Sequence, residues 1–230
     1  FYTCFNLRHL IIPESVKYIQ NNDYPTKIER FYYKGDIPDS LLFADYKTTV
    51  YYPADNPTWT ESAIQTRTKR VIQEYGTKFT FIPYYTSENG LFYTINKGKA
   101  VIVGCDESSP SLEIPSMIGN YPVDSISANA FADNLQLTNV IIHESVTNIA
   151  ENAFKGCSNL TKINIPKSVR YIGSEILSSC TKLKSITFFG VAPSFHPDSL
   201  SGLPETTIAY YYPGEPYGWT KSIIEEYGSE

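Results

Sequence analysis

The sequence predicts a solenoid, a stack of similar coils joined through a parallel β-sheet, and three observations predict it. The first is a fixed period. Leu137, Leu160 and Leu183 are 23 residues apart, as are Val140, Ile163 and Ile186, and Ile142, Ile165 and Phe188. The second is that the connecting segment repeats too, in Val146 and Val169, Ile149 and Ile172, and Cys157 and Cys180. The third is a recurring strand exit. Pro13-Glu14-Ser15-Val16, His143-Glu144-Ser145-Val146 and Pro166-Lys167-Ser168-Val169 write one turn three times. A period of about 20 to 29 residues with leucine-type spacing specifies stacked units rather than a closed globule. One such unit buries too few side chains to offset its own ordering entropy, so its stability must come from neighbours.

Within a unit, Leu160, Ile163 and Ile165 share a short strand, with Ile163 and Ile165 pointing inward at period two. Pro166 ends the strand, because it has no N–H to donate and its φ is fixed. The remainder turns back around the convex side through short turns or helices, and the strands form a curved parallel sheet.

Taken in order, the chain opens in mid-repeat. Phe1-x-x-Cys4-x-x-Leu7 matches Phe154-x-x-Cys157-x-x-Leu160, which points to a piece of a longer protein with any targeting or anchoring segment removed. Leu10, Ile12, Pro13, Val16 and Ile19 stand 153 positions before Ile163, Ile165, Pro166, Val169 and Ile172. Ile28, Phe31, Tyr33, Gly35 and Pro38 stand 155 before Leu183, Ile186, Phe188, Gly190 and Pro193. Each series closes on a tyrosine-proline strand and a tryptophan: Val50-Tyr51-Tyr52-Pro53 with Trp59, and Tyr210-Tyr211-Tyr212-Pro213 with Trp219. Both run on to an Ile-x-Glu-Tyr-Gly ending, at 72–76 and 224–228. Two domains follow from this duplication. Residues 1–77 are the C-terminal part of a first block with its cap helix, and residues 78–230 are a second, complete block.

Residues 60–75 read as a helix, with Trp59, Ala63, Ile64, Val71, Ile72 and Tyr75 at helical spacing and Gly76 as the stop. Arg67, Lys69 and Arg70 fall mostly on its other side, expected to be a solvated face. The second block opens with a β-hairpin of residues 91–95 and 99–103 about Asn96-Lys97-Gly98, with glycine where positive φ is needed. This hairpin is expected to cap the stack, with a strand and helix capping the other end. The first rung, Leu112-x-Ile114-Pro115, has eight residues from Pro115 to Val123 where the later unit has three from Pro166 to Val169. The excess, within residues 117–122, is expected to bulge from one edge of the sheet.

Composition excludes more than it assigns. A net charge of −5 and a pI near 5.3 give no basic stripe for nucleic acid. No apolar run approaches the length of a membrane span, so membrane insertion is not expected of this chain. No Cys-x-x-Cys or paired-His spacing suggests a metal, and no cofactor motif is present. His9, His143 and His196 occupy three different repeat positions, outside any nucleophile elbow or phosphate loop, and no enzyme is predicted. Cys4, Cys157 and Cys180 share one repeat position and read as a column of buried thiols, while Cys105 has no evident partner. Asn159-Leu160-Thr161 fits a glycosylation pattern, but Leu160 belongs in the core, so the match is chance.

Three features together are more specific: the Ile-Pro-x-x-Val-x-x-Ile exit, the Ala-Phe pairs Ala130-Phe131 and Ala153-Phe154, and Cys-x-x-Leu. With Asn89-Gly90-Leu91-x-Tyr93 and Gly98-Lys99-Ala100, they resemble the BspA-like, or Treponema-type, leucine-rich repeats of bacterial surface proteins. The sequence departs from that pattern at His143, where proline is usual, and at Ile176-Leu177, which replace Ala-Phe. The resemblance implies an α/β leucine-rich-repeat solenoid in a secreted or cell-surface protein. It also implies adhesion or partner binding to a host or microbial protein or glycan, and it brings no catalytic residues.

Outward strand positions form the candidate site, as columns along the concave face. They are Asn139, Lys162 and Ser185, then Ile141, Asn164 and Thr187, then His143, Pro166 and Phe189. His9, Ile11, Arg30, Tyr32 and Lys34 are the first block's equivalents, and the caps offer Tyr51 and Tyr211. From these, Ile141, His143, Lys162, Asn164, Thr187, Phe189, Tyr211, Tyr32 and Tyr51 are the expected partner-binding residues. Against this, Phe189 and Tyr211 are expected to pack beneath the loop of residues 191–204. The alternative function is a spacer that holds another domain away from the cell and binds nothing.

Overall fold

The computed structural model describes residues 9–19, 28–38, 40–41, 48–75, 79–106, 109–211 and 218–219. The chain divides into two compact units, Phe1–Tyr85 and Thr86–Glu230.

Unit 1 contains β1 (His9–Ile12), β2 (Tyr18–Ile19), β3 (Arg30–Tyr33), β4 (Ser40–Leu41), β5 (Thr49–Pro53), α1 (Glu61–Tyr75) and β6 (Thr80–Thr86). β1, β3, β5 and β6 run parallel in that order, with Leu10 opposite Phe31, Phe31 opposite Val50 and Val50 opposite Phe81. Their inward side chains, Ile12, Phe31, Tyr33 and Val50, pack with Ile28, Ile37 and Trp59. β6 was not legible in the sequence, since Pro83 within it argues against a strand. Thr60 caps α1 by accepting a hydrogen bond from the Ala63 N–H on Oγ1 at 3.2 Å, and Ala63 and Ile64 rest on the core. Of the expected solvated face the side chains of Lys69 and Arg70 lie outside the described residues, and Arg67 is half-buried. Its Nε donates to the Pro38 carbonyl at 2.8 Å, tying the helix to the preceding loop. The side chains of Val71, Ile72 and Tyr75, with Cys4 and the segment after Trp219, lie outside the described residues.

Unit 2 begins with the hairpin of β7 (Leu91–Asn96) and β8 (Lys99–Cys105). Its turn is shorter than expected: two residues, Lys97 and Gly98, at φ of 49° and 75°, the signature of a type I′ turn. There follow β9 (Ser111–Ile114), β10 (Met117–Ile118), β11 (Tyr121–Ile126), β12 (Asn139–Ile142), β13 (Asn148–Ile149), β14 (Lys162–Ile165), β15 (Tyr171–Ile172), β16 (Ser185–Phe188), β17 (Ser194–Phe195) and β18 (Ile208–Tyr210). The main ladder is parallel throughout, in the order β9, β12, β14, β16, β18. Register follows the repeat, with Ile163 opposite Ile186 and Ile165 opposite Phe188. Leu137, Leu160 and Leu183 are 0–1 % exposed. The residues after them are chained rung to rung, Thr161 N–H to Thr138 O at 3.3 Å and Lys184 N–H to Thr161 O at 2.9 Å, so the leucines stack one over another.

The return path holds turns and a second parallel ladder, β8, β11, β13, β15, β17, and no helix among the described residues. Ile126, Ile149 and Ile172 are fully buried from this second ladder. The turns depend on left-handed backbone at two positions per repeat: Asn129, Asn152 and Glu175 at φ of 50–55°, and Asp133, Gly156, Ser179 and Gly202 at 59–74°. The excess residues after β9 do not merely bulge. β10 and β11 form a small antiparallel hairpin, with Gly119 at φ 55° in its turn.

The buried thiols take the expected column. Cys157 and Cys180 are fully buried, and their thiols donate to the Phe131 and Phe154 carbonyls at 3.1 and 3.2 Å. Burial pushes the Cys157 thiol well above its ordinary range and the Cys180 thiol up to about 12. Asn134 stands one repeat before Cys157, and its Nδ2 donates to Cys105 Sγ at 3.6 Å. Cys105 therefore does have a partner, which the sequence hid because it comes from the hairpin rather than from a rung.

Candidate functional site

The outward face of the main ladder of unit 2 is the candidate site. On each strand an apolar residue (Leu, Ile, Val, Phe or, on β18, Ala209) faces the core and the residues between face away, as the two-residue alternation requires. One column runs unbroken through the pairing register, Ser111, Asn139, Lys162, Ser185, Ile208. Five strands at about 4.8 Å spacing give a face about 19 Å long. A second column holds Glu113 opposite Ile141, and Asn164 opposite Thr187 opposite Tyr210.

Of the expected residues, Ile141 and Phe189 are each 45 % exposed, and Lys162 and Asn164 are exposed as well. Thr187 is half-buried. His143 is exposed and its Nε2 lies 2.8 Å from Glu113 Oε1, so the imidazole is held against the neighbouring rung rather than left mobile. Phe189 does not pack beneath the following loop, which is a correction. Tyr211 is half-buried, its ring tilted against Trp219 at 5.1 Å.

Tyr32 and Tyr51 are also corrected. They are 3 and 4 % exposed and stack on each other, with ring centroids 4.6 Å apart. Tyr84 meets Tyr32 edge-on at 6.1 Å and the Arg30 guanidinium lies 5.9 Å from the Tyr51 ring. Burial pushes the Tyr51 phenol above its usual range, and the charge of Arg30 opposes this in part. These two side chains belong to the packing of unit 1, not to its surface.

The sequence missed Ile208 and Tyr210, which are 54 and 53 % exposed on β18. The signal was present, since adding the 23-residue step to Ser185 and Thr187 reaches them. It was obscured because Tyr210 reads as the start of a closing cap. Among the described residues no group of three or more His, Cys, Asp or Glu side chains could hold a metal ion, and no helix is long and apolar enough to cross a membrane.

Parallel-strand coils stacked at a fixed period, carrying an outward face of mixed apolar and polar side chains, define a leucine-rich-repeat solenoid. The chain belongs to the BspA-type leucine-rich-repeat family, whose model matches it in six copies over residues 1–37 and 107–202, more than half of its length. No curated protein sequence matches it. Among solved structures it is similar to a leucine-rich repeat protein of Treponema pallidum, at 23 % identity over 55 % of this chain and 64 % of that one, TM-score 0.45. A leucine-rich repeat protein from Bacteroides ovatus gives 29 % identity over 53 % of this chain and 36 % of that one, TM-score 0.42. A leucine-rich cell surface protein from Faecalibacterium prausnitzii gives 16 % identity over the whole of this chain and 65 % of that one, TM-score 0.46. The chain thus spans between about a third and two thirds of the length of these proteins.

Proposed function

We propose that this chain is a non-enzymatic recognition module of a bacterial surface or secreted protein, and that it binds a host or microbial protein or glycan through the outward face of the main ladder. In this reading the face belongs to the second repeat block, assigned to residues 78–230, and residues 1–77 belong to the first. One observation carries the reading. Ile141, Ile208 and Tyr210 are exposed on a rigid ladder, interleaved with Asn139, Asn164 and Thr187, which supply hydrogen-bonding groups without fixed charge. Large apolar side chains held in place by a sheet lose little entropy on binding, and aromatic ones are frequent anchors.

Arrays of extracellular-matrix proteins and of glycans, probed with the native chain and with Ile141→Glu and Tyr210→Ala, test it. The expected result is at least one ligand whose binding falls tenfold or more in both variants while the melting temperature stays unchanged. A ligand bound equally well by both variants places the site elsewhere. No ligand on either array favours the spacer.

A further inference from the structure

The corner where the chain leaves the ladder is built twice. In unit 1, Trp59 Nε1 donates to the Gly35 carbonyl at 2.9 Å; in unit 2, Trp219 Nε1 donates to the Gly190 carbonyl at 3.1 Å. Each glycine lies against the backbone of the preceding rung. A Cβ on Gly35 would come within 2.6 Å of Glu14 Cα, and one on Gly190 within 2.5 Å of Lys167 Cα. The two corners share a backbone device and differ in the side chains around it.

In unit 1 the glycine stands between Lys34 and Asp36. Asp36 pairs with Lys17 at 3.6 Å and accepts a hydrogen bond from Asn56 Nδ2 at 3.2 Å. The corresponding positions of unit 2 hold Phe189, Val191 and Arg170. Valine has taken the place of the carboxylate. Among the described residues Arg170 consequently has no side-chain hydrogen bond or ion pair, whereas its neighbour Lys167 is matched by Glu144 at 3.0 Å. Phe189 and Val191 are 45 and 39 % exposed. With Arg170, Lys167 and Glu144 they line an open groove of about 460 Å³.

We propose that this groove docks an extended peptide segment with an Asp or Glu beside a large apolar residue. The ligand carboxylate would take the place on Arg170 that Asp36 takes on Lys17, and its apolar side chain would cover Phe189 and Val191. A groove of this volume suits two or three side chains. The exposed apolar pair beside Arg170 favours an apolar side chain next to a single carboxylate, and Glu144 on the same rim disfavours a polyanion. The proposal rests on the recognition reading above and names the partner class for the edge of that face, where Phe189 lies.

A fluorescein-labelled positional-scanning hexapeptide library, followed by anisotropy titration of the selected peptide with the whole chain, tests it. Selection of Asp or Glu next to Leu, Ile or Phe is expected. Arg170→Gln and Val191→Asp should each weaken binding at least tenfold, the latter by supplying the carboxylate from within, with circular dichroism and melting temperature as native. Ile141→Glu and Tyr210→Ala, which probe the ladder face, are titrated with the same peptide for comparison. Three results overturn the proposal: no acidic–apolar selection, affinity indifferent to both groove variants, or a heparin-derived octasaccharide that binds in an Arg170-dependent way where no peptide does. Loss in the Ile141 and Tyr210 variants alone rejects the groove and keeps the ladder face; loss in the groove variants alone supports the groove and leaves the ladder face to the array test of its own ligand.

Discussion

Units 1 and 2 place side chains on the outward side of their ladders by the same alternation, and the two faces end differently. In unit 1 the pair Tyr32 and Tyr51 is buried and stacked. In unit 2 the pair Thr187 and Tyr210 sits in the same kind of register, yet Tyr210 is 53 % exposed. The difference lies at the edge strand. β6 adds beside β5, with Tyr51 opposite Ile82, and brings Tyr84 against Tyr32, its hydroxyl donating to the Tyr33 carbonyl at 2.8 Å. Beyond β18 the described residues hold no further strand of that ladder. A repeat period therefore dictates which side of the sheet a residue faces, while the next strand decides whether that side reaches solvent.

The largest way to break this comparison is to truncate both tyrosines. Tyr51→Ala removes a stacked, buried ring and should cost about 3–5 kcal/mol, in the range of large core aromatics. Tyr210→Ala should stay within about 0.5 kcal/mol, as for a surface site. Urea unfolding of the two variants checks the contrast, and equal losses would mean that Tyr210 is structural. Next in size are Gly35→Ala and Gly190→Ala. Each drives a methyl group into backbone that cannot swing aside, and each should cost about 1–3 kcal/mol or more. Because both corners use one device, the two losses should be similar. A loss at only one would show that the corners are not equivalent.

The same contrast explains what the sequence disclosed. Inward positions such as Ile163, Ile186 and Leu160 were legible because burial by stacking demands apolar residues at a fixed step, and any departure would cost stability in every neighbour. The hairpin at Lys97-Gly98 was legible from turn chemistry, and the helix after Trp59 from its apolar spacing. Outward positions carry no such demand. Nothing at Tyr32 or Tyr51 distinguishes a buried stack from an exposed anchor, because the distinction is made by Tyr84, which arrives from β6. Arg67 and Cys105 were misread for the same reason: their partners, Pro38 and Asn134, lie 29 residues away in sequence in each case.

Alkaline pH should sharpen the comparison further. The Cys180 thiol ionises at about 9 when unfolded and about 12 when folded, so the native state favours its neutral form. That stabilisation is fully present below pH 9 and is lost as pH rises towards 12. Cys157 moves in the same direction. In unit 1 the raised groups are Tyr51 and Tyr52, whose ordinary value is 10, so their contribution holds about one pH unit longer. Urea midpoints followed by tryptophan fluorescence, in variants that keep only Trp219 or only Trp59, should therefore fall first for unit 2. Cys180→Ala should lower stability at pH 7 through the cavity it leaves but flatten the decline between pH 9 and 12. An equally steep decline in that variant would remove the thiol from the account.

The smallest expected effect lies in the left-handed turns, which recur along successive rungs of unit 2. Asp133, Gly156, Ser179 and Gly202 are successive steps of one column, all at φ between 59° and 74°. Two of the four are glycine, which adopts that backbone without the Cβ penalty. A Cβ at Gly156 would in addition lie 2.0 Å from Asp133 Oδ1, so that carboxylate would have to shift. Ser179 is exposed and its side chain makes no described hydrogen bond, so replacing it removes the left-handed penalty and loses little else. Against this gain stands the greater entropy that glycine gives the unfolded chain. The balance should leave Ser179→Gly about 0.5 kcal/mol more stable than the native chain, read as a rise of one to a few degrees in melting temperature. Gly156→Ala, at the same step one rung earlier, should lower it. If Ser179→Gly were destabilising, the hydroxyl would have to hold a partner that offsets its strained backbone, and the column would be less uniform than its dihedral angles indicate.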